Sequence, residues 1–170
     1  VTVIRDMLAA DDMKLDGVSA HCPFWVHGTA WTESKTIRPF LPPAVARLSV
    51  EKIEQWCEDY LLRLFDLCAE LGVHVVPMFW GTLYGLELAA GYPWGFWAHQ
   101  GSQGNEDLSY DLLAEGDERC VAKTHKLRGH ARNLGIKLAH EIHPGTAASV
   151  ATDFLRLVRI CNSDSCLEVN

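Results

Sequence analysis

The stretch Ile136-Lys-Leu-Ala-His-Glu-Ile-His-Pro-Gly145 decides how this chain is read. It follows Leu134-Gly135, where a glycine suits the left-handed position that ends a helix. It then runs apolar and is stopped by Pro144-Gly145. Read as a strand over 136–142, its side chains alternate, so Glu141 and His143 share one face and His140 takes the other. A carboxylate at the end of a buried strand costs free energy unless it is paired or bound to a cation. In parallel α/β proteins chemistry sits at that end of the strands. A functional carboxylate and a structural one bonded to a neighbouring loop are both open at this point.

Working outward, the same helix–glycine–strand unit occurs at Ala69-Glu-Leu-Gly72-Val-His-Val-Val76, and a weaker copy at Asp16-Gly17-Val18-Ser19-Ala20. The run from Ser163 to Val169 leads into a further strand. Helical periodicity fills the gaps: 49–71 through Ile53, Cys57, Leu61, Leu64 and Cys68; 109–134 through Leu113, Cys120, Leu127 and Ala131; 151–161 through Phe154, Leu157 and Cys161. A first helix holds Val3, Ile4, Met7 and Leu8. Strands are thus expected near 17–22, 73–79, 136–142 and 165–169. Alternation with helices implies parallel pairing and right-handed crossovers. The helix-to-strand connections are short. The segments after the first two strands, 23–48 and 80–108, read as long loops, and structureless loops of that length are usually functional. They carry Trp25, Trp31, Trp80, Tyr84, Trp94, Phe96 and Trp97, on the same edge as Glu141. Most of these rings are expected to pack the loops down, and a few to wall a pocket.

The chain has 170 residues, 48% of them hydrophobic, which allows one domain with a sizeable core. A net charge of −7 argues against nucleic acid as a partner. Lys123, Lys126, Arg128 and Arg132 are expected to form a solvated helix face. The six cysteines include no C-x-x-C pair; Cys57, Cys68 and Cys120 fall on apolar helix positions and Cys22 and Cys166 in or beside expected strands, as free thiols in a reducing compartment do. No apolar run is long enough to span a bilayer, so a cytoplasmic protein without membrane partners is expected. His140-Glu-Ile-His143 is not the helical H-E-x-x-H zinc motif, because its histidines are three apart. His21, at the end of the first strand, reads equally as a polar group on a pocket floor and as a satisfied core histidine.

SAHCPFW at 19–25, PMFWG at 77–81, GYPWGFW at 91–97 and HEIHPGT at 140–146 resemble the xylose-isomerase-like TIM-barrel superfamily, in particular its bacterial sugar phosphate isomerase/epimerase branch. The resemblance covers nearly the whole chain, and HEIHPG is its most specific part. It implies a fragment: residues 1–170 as one domain forming about half of a (β/α)8 barrel, with four strands and about four helices, truncated at both ends. It also implies a divalent metal ion (Mn, Mg, Co or Zn) with Glu141 as a ligand. The other three ligands, an Asp (with a nearby His, in an Asp-Pro-x-His motif), a further His and a second Glu, belong to strands beyond Asn170. The implied reaction on a sugar or sugar phosphate is isomerisation or epimerisation by proton or hydride transfer next to a carbonyl. Glu141 and His143 would be its catalytic pair, and His21, Trp25, Trp80 and Trp97 would contact the substrate. An inosose-dehydratase-like lyase on the same barrel, or a non-catalytic fragment, are the alternatives. Half a barrel would leave open strand edges, so association between copies is expected.

Overall fold

The structure, a computed structural model, describes residues 1–84 and 110–170, with side chains in the second segment from Ala114 onward. Trp94, Phe96 and Trp97, and most of the second aromatic segment, lie outside the described residues.

Three strands, β1 (Val75–Met78), β2 (Lys137–His140) and β3 (Leu167–Val169), form a parallel sheet in the order β1-β2-β3. Val75 pairs with Lys137 and Met78 with His140; Leu138 pairs with Leu167 and His140 with Val169. Five α-helices accompany them among the described residues: α1 (Thr2–Ala10), α2 (His21–Thr29), α3 (Val50–Leu71), α4 (Tyr110–Asn133) and α5 (Ala151–Ile160). Parallel strands joined in sequence through helices are the architecture of a partial TIM barrel.

The repeated unit works as its residues dictate. On α3, Ile53, Cys57, Leu61, Phe65 and Cys68 recur at helical spacing and are all buried. The helix stops at Gly72, whose φ of +74° lets its N–H turn back to Cys68 and Ala69. Gly135 ends the helical run after α4 in the same way, at φ +68°, with Ile136 donating to the Ala131 carbonyl. On the sheet, Val76, Met78 and Leu138 are fully buried under the helices with Leu61, Phe65, Leu127 and Leu157. Each such side chain contributes roughly 1.5–3 kcal/mol on burial. The opposite, concave face is only half-buried at Val75, Pro77 and Lys137, and Lys137 Nζ reaches Glu168 Oε1 there at 2.9 Å.

Two expectations are corrected. The segment expected as a strand over 17–22, the first of the four expected, forms no regular strand. Val18 and Ala20 donate to the carbonyls of Val75 (3.3 Å) and Pro77 (2.9 Å), so 17–20 lines the edge of β1, but His21 already begins α2. Pro23 is tolerated there because the first turn of a helix needs no N–H from it. The segment expected as a long loop, 23–48, is largely helical, with α2 followed by 3-10 turns at Ala30–Thr32 and Lys35–Phe40. Val26, Ala30, Ile37, Leu41 and Val45 fold it onto Ile53 and Cys57 of α3 as a second core. Elements this short carry too few turns for a periodic signal.

The basic residues of α4 are a solvated face only in part: Lys126 and Arg132 are exposed, while Lys123 and Arg128 are largely covered. Lys123 and Lys126 pair with Glu54 and Glu58 of α3, while Arg128 and Arg132 converge on Asp164 at 2.6 Å each. Arg128 and Asp164 are buried. All six cysteines are free thiols, five of them buried and Cys22 exposed. Among the described residues no helix is long and apolar enough to cross a membrane.

Candidate functional site

The carboxyl ends of the 17–20 segment, β1 and β2 meet at one place, and the sheet register decides which side chains gather there. With Val75 opposite Lys137 and Pro77 opposite Ala139, the next step puts Phe79 beside Glu141. Glu141 lies one residue past β2, and its N–H still donates to the Met78 carbonyl at 2.8 Å. Its carboxylate is half-exposed, and Oε2 stands 3.0 Å from His21 Nε2. That approach lies off the line of a hydrogen bond, and Nε2 is shielded from solvent with no hydrogen-bond partner. The other nitrogen of His21 is hydrogen-bonded to the Ser19 hydroxyl, which fixes the ring at the head of α2.

Phe79 holds the cluster together. The His21 ring packs against it at 4.7 Å between centroids, and the His143 ring stacks on it at 5.3 Å and 28°. Glu141 and His143 therefore share a side, as the alternation of the stretch implied. His143 Nδ1–H donates to the Pro144 carbonyl at 2.8 Å. The turn that carries it is closed by Thr146, whose buried hydroxyl donates to the His143 carbonyl, and by the His143 N–H bonding Ala148 O at 3.1 Å. The next helix is started by Asp153, which accepts from the N–H groups of Ser149 and Val150.

Trp25 is half-buried at the rim, and its indole N–H donates to the Gly145 carbonyl at 3.3 Å, tying α2 to the turn after His143. Trp80 is placed differently from its reading as a pocket wall. It is 1% exposed and packs edge-on to Phe24, so it is part of the helix-side core. The alternation of β1 explains this, since Trp80 follows Val76 and Met78 on the buried face. Trp97 lies outside the described residues. Phe79 and Ser19 were not singled out from the sequence. The register of β1 against β2 is the signal for Phe79, and the i, i+2 spacing to His21 is the signal for Ser19.

Behind this cluster His140 is fully buried. Burial lowers its pKa to about 4, so the imidazole is neutral.

A carboxylate and an imidazole are suitable donors for a divalent cation, and Glu141 and His21 supply one of each. A catalytic cation takes at least three protein ligands as a rule. Among the described residues no group of three potential ligands comes together. These residues alone therefore do not complete a cation site.

The fold has a solved counterpart. The chain is similar to a xylose isomerase-like TIM barrel protein from Mycobacterium smegmatis, determined in complex with magnesium, with a TM-score of 0.52 and 20% sequence identity. The match covers 98% of this chain and 43% of that one, so the chain spans less than half the length of that protein. This similarity shows the class of fold, a partial TIM barrel. No protein-family profile matches the chain, and no curated protein matches it in sequence.

Proposed function

We propose that this chain carries part of the active site of a sugar or sugar phosphate isomerase or epimerase, completed by further strands of the same barrel. The observation that supports this best is the Glu141–His21 pair, 3.0 Å apart, at the carboxyl ends of parallel strands. In this fold class that is the end where substrates are bound and transformed.

The chemistry follows from the groups themselves. A sugar carbonyl makes the neighbouring C–H acidic. Glu141 takes that proton, the C–H electron pair becomes a carbon–carbon double bond, and the former carbonyl oxygen gains the negative charge. When the adjacent hydroxyl passes its proton to that oxygen and Glu141 returns its own proton to the former carbonyl carbon, the isomer forms; protonation of the original carbon on its opposite face, by an acid that the remaining strands would supply, gives the epimer. His21, oriented by Ser19, holds a substrate hydroxyl and keeps the carboxylate aimed. His143, stacked on Phe79, lines the same face. Trp25 closes the rim through Gly145. A divalent cation such as Mg, Mn, Co or Zn would polarise the substrate oxygens, with Glu141 as this chain's donor and the rest from the remaining strands.

The test is interconversion of aldose, ketose and sugar phosphate substrates by a protein carrying the remaining strands. A product with the carbonyl moved or one carbinol inverted supports the reading. Loss of water from the substrate would instead assign a lyase.

A further inference from the structure

His140 stands where the exits of all three strands converge. Its backbone carbonyl accepts the N–H of Asn170 at 2.9 Å, just past β3. Its side chain is 0% exposed, and each ring nitrogen is committed to the backbone of a different strand exit. Nε2 accepts the N–H of Trp80, beyond β1, at 3.1 Å. Nδ1–H donates to the carbonyl of Glu141, beyond β2, at 2.8 Å. The Phe154 ring of α5 backs it at 5.8 Å. Beyond the Met78–His140 pair the ladder keeps only the Glu141 N–H bond to the Met78 carbonyl, and these two bonds extend it to Trp80 and the Glu141 carbonyl. Only an uncharged imidazole, donor at one nitrogen and acceptor at the other, makes both.

We infer that His140 is the positioning residue of this site: its imidazole latches the exit of β1 to the exit of β2 and thereby sets where the Glu141 carboxylate stands against His21 and Phe79. This rests on the isomerase or epimerase reading for its catalytic consequence, but not for the latch itself.

Two variants separate the bonds. In His140→Asn the amide nitrogen occupies the place of Nδ1 and can still donate to the Glu141 carbonyl. In His140→Gln the amide oxygen reaches the place of Nε2 and can still accept from Trp80. They would be compared in a protein carrying the remaining strands, with kcat expressed per folded molecule. His140→Gln is expected to lower kcat roughly 10–100-fold, the range for residues that orient a reacting group through a hydrogen bond, with KM within about twofold. His140→Asn should retain more of kcat than His140→Gln. Unchanged kcat per folded molecule in both variants would make His140 merely structural and overturn the inference. Amide hydrogen exchange of the wild type is the readout that needs no substrate. The Trp80 N–H should exchange with the slow core amides, and exchange at the rate of an exposed amide would also overturn it. If the wild type interconverts no sugar, the functional reading fails, and the Trp80 amide still decides the latch.

Discussion

His21 Nε2 stands 3.0 Å from Glu141 Oε2, joining the head of α2 to the exit of β2 across the ring of Phe79. These residues are far apart in sequence, and three backbone relationships bring them together. The 17–20 segment bonds to β1, β1 pairs with β2 in register, and α2 starts at His21. The site is thus a product of strand register, and changes that shift α2 or the strand exits should reach it.

Gly28 and Gly81 are where α2 lies directly on the backbone beyond β1. A Cβ on Gly28 would come within 2.6 Å of the Gly81 nitrogen, and one on Gly81 would collide with the Trp25 carbonyl. Thr29 Oγ1 accepts the Thr82 N–H at 3.0 Å beside this seat. Gly81→Ala should lift α2, cost about 1–3 kcal/mol as overpacking does, and loosen the Trp25–Gly145 bond. Urea unfolding followed by tryptophan fluorescence measures both. An unchanged midpoint and spectrum would show that α2 is not seated by this contact.

Asp164 and Arg128 form a buried pair, with side chains 3% and 7% exposed, and Asp164 also accepts the Cys166 N–H at the start of β3. Asp164→Asn should cost on the order of 3–5 kcal/mol, because it leaves a buried guanidinium uncompensated. Replacing both residues by apolar ones of similar volume should recover much of the loss. Denaturant midpoints of the two variants decide it. A single variant as stable as the parent would contradict the burial of the pair.

His27 and His140 are both buried, and burial lowers the pKa of each to about 4 from 6.5. Below the unfolded value of 6.5 the unfolded chain takes up protons that the folded chain refuses, so stability is complete above that pH and falls as pH drops towards 4. Each group contributes on the order of 3 kcal/mol across that window. The unfolding midpoint in urea should decrease steadily from pH 7 to pH 5. A midpoint flat over that range would mean that the two imidazoles titrate normally.

Much of this was legible in the chain. The helix–glycine–strand repeat at Gly72 and Gly135 set the parallel order, because a helix end and a β-branched strand each leave a local signature. Glu141 and His143 were placed on one side by strand alternation alone. The helical character of 23–48 was not legible, since α2 and its 3-10 turns owe their shape to packing on Ile53 and Cys57. The same holds for Trp80: aromatic composition marked it for a pocket, while its parity with Val76 and Met78 put it in the core. The role of Arg128 depended on Asp164, a contact between distant segments that no local pattern encodes.

The central claim is that Glu141 is the reacting carboxylate. Its most direct test is sugar interconversion, with magnesium titration alongside, in a protein carrying the remaining strands, wild type against Glu141→Gln. The substitution keeps the size of the side chain and removes its charge and basicity. The account predicts turnover in the wild type, none measurable in Glu141→Gln, and weaker magnesium binding in the variant. Equal turnover and equal binding in the two proteins would make Glu141 a structural residue and contradict the account.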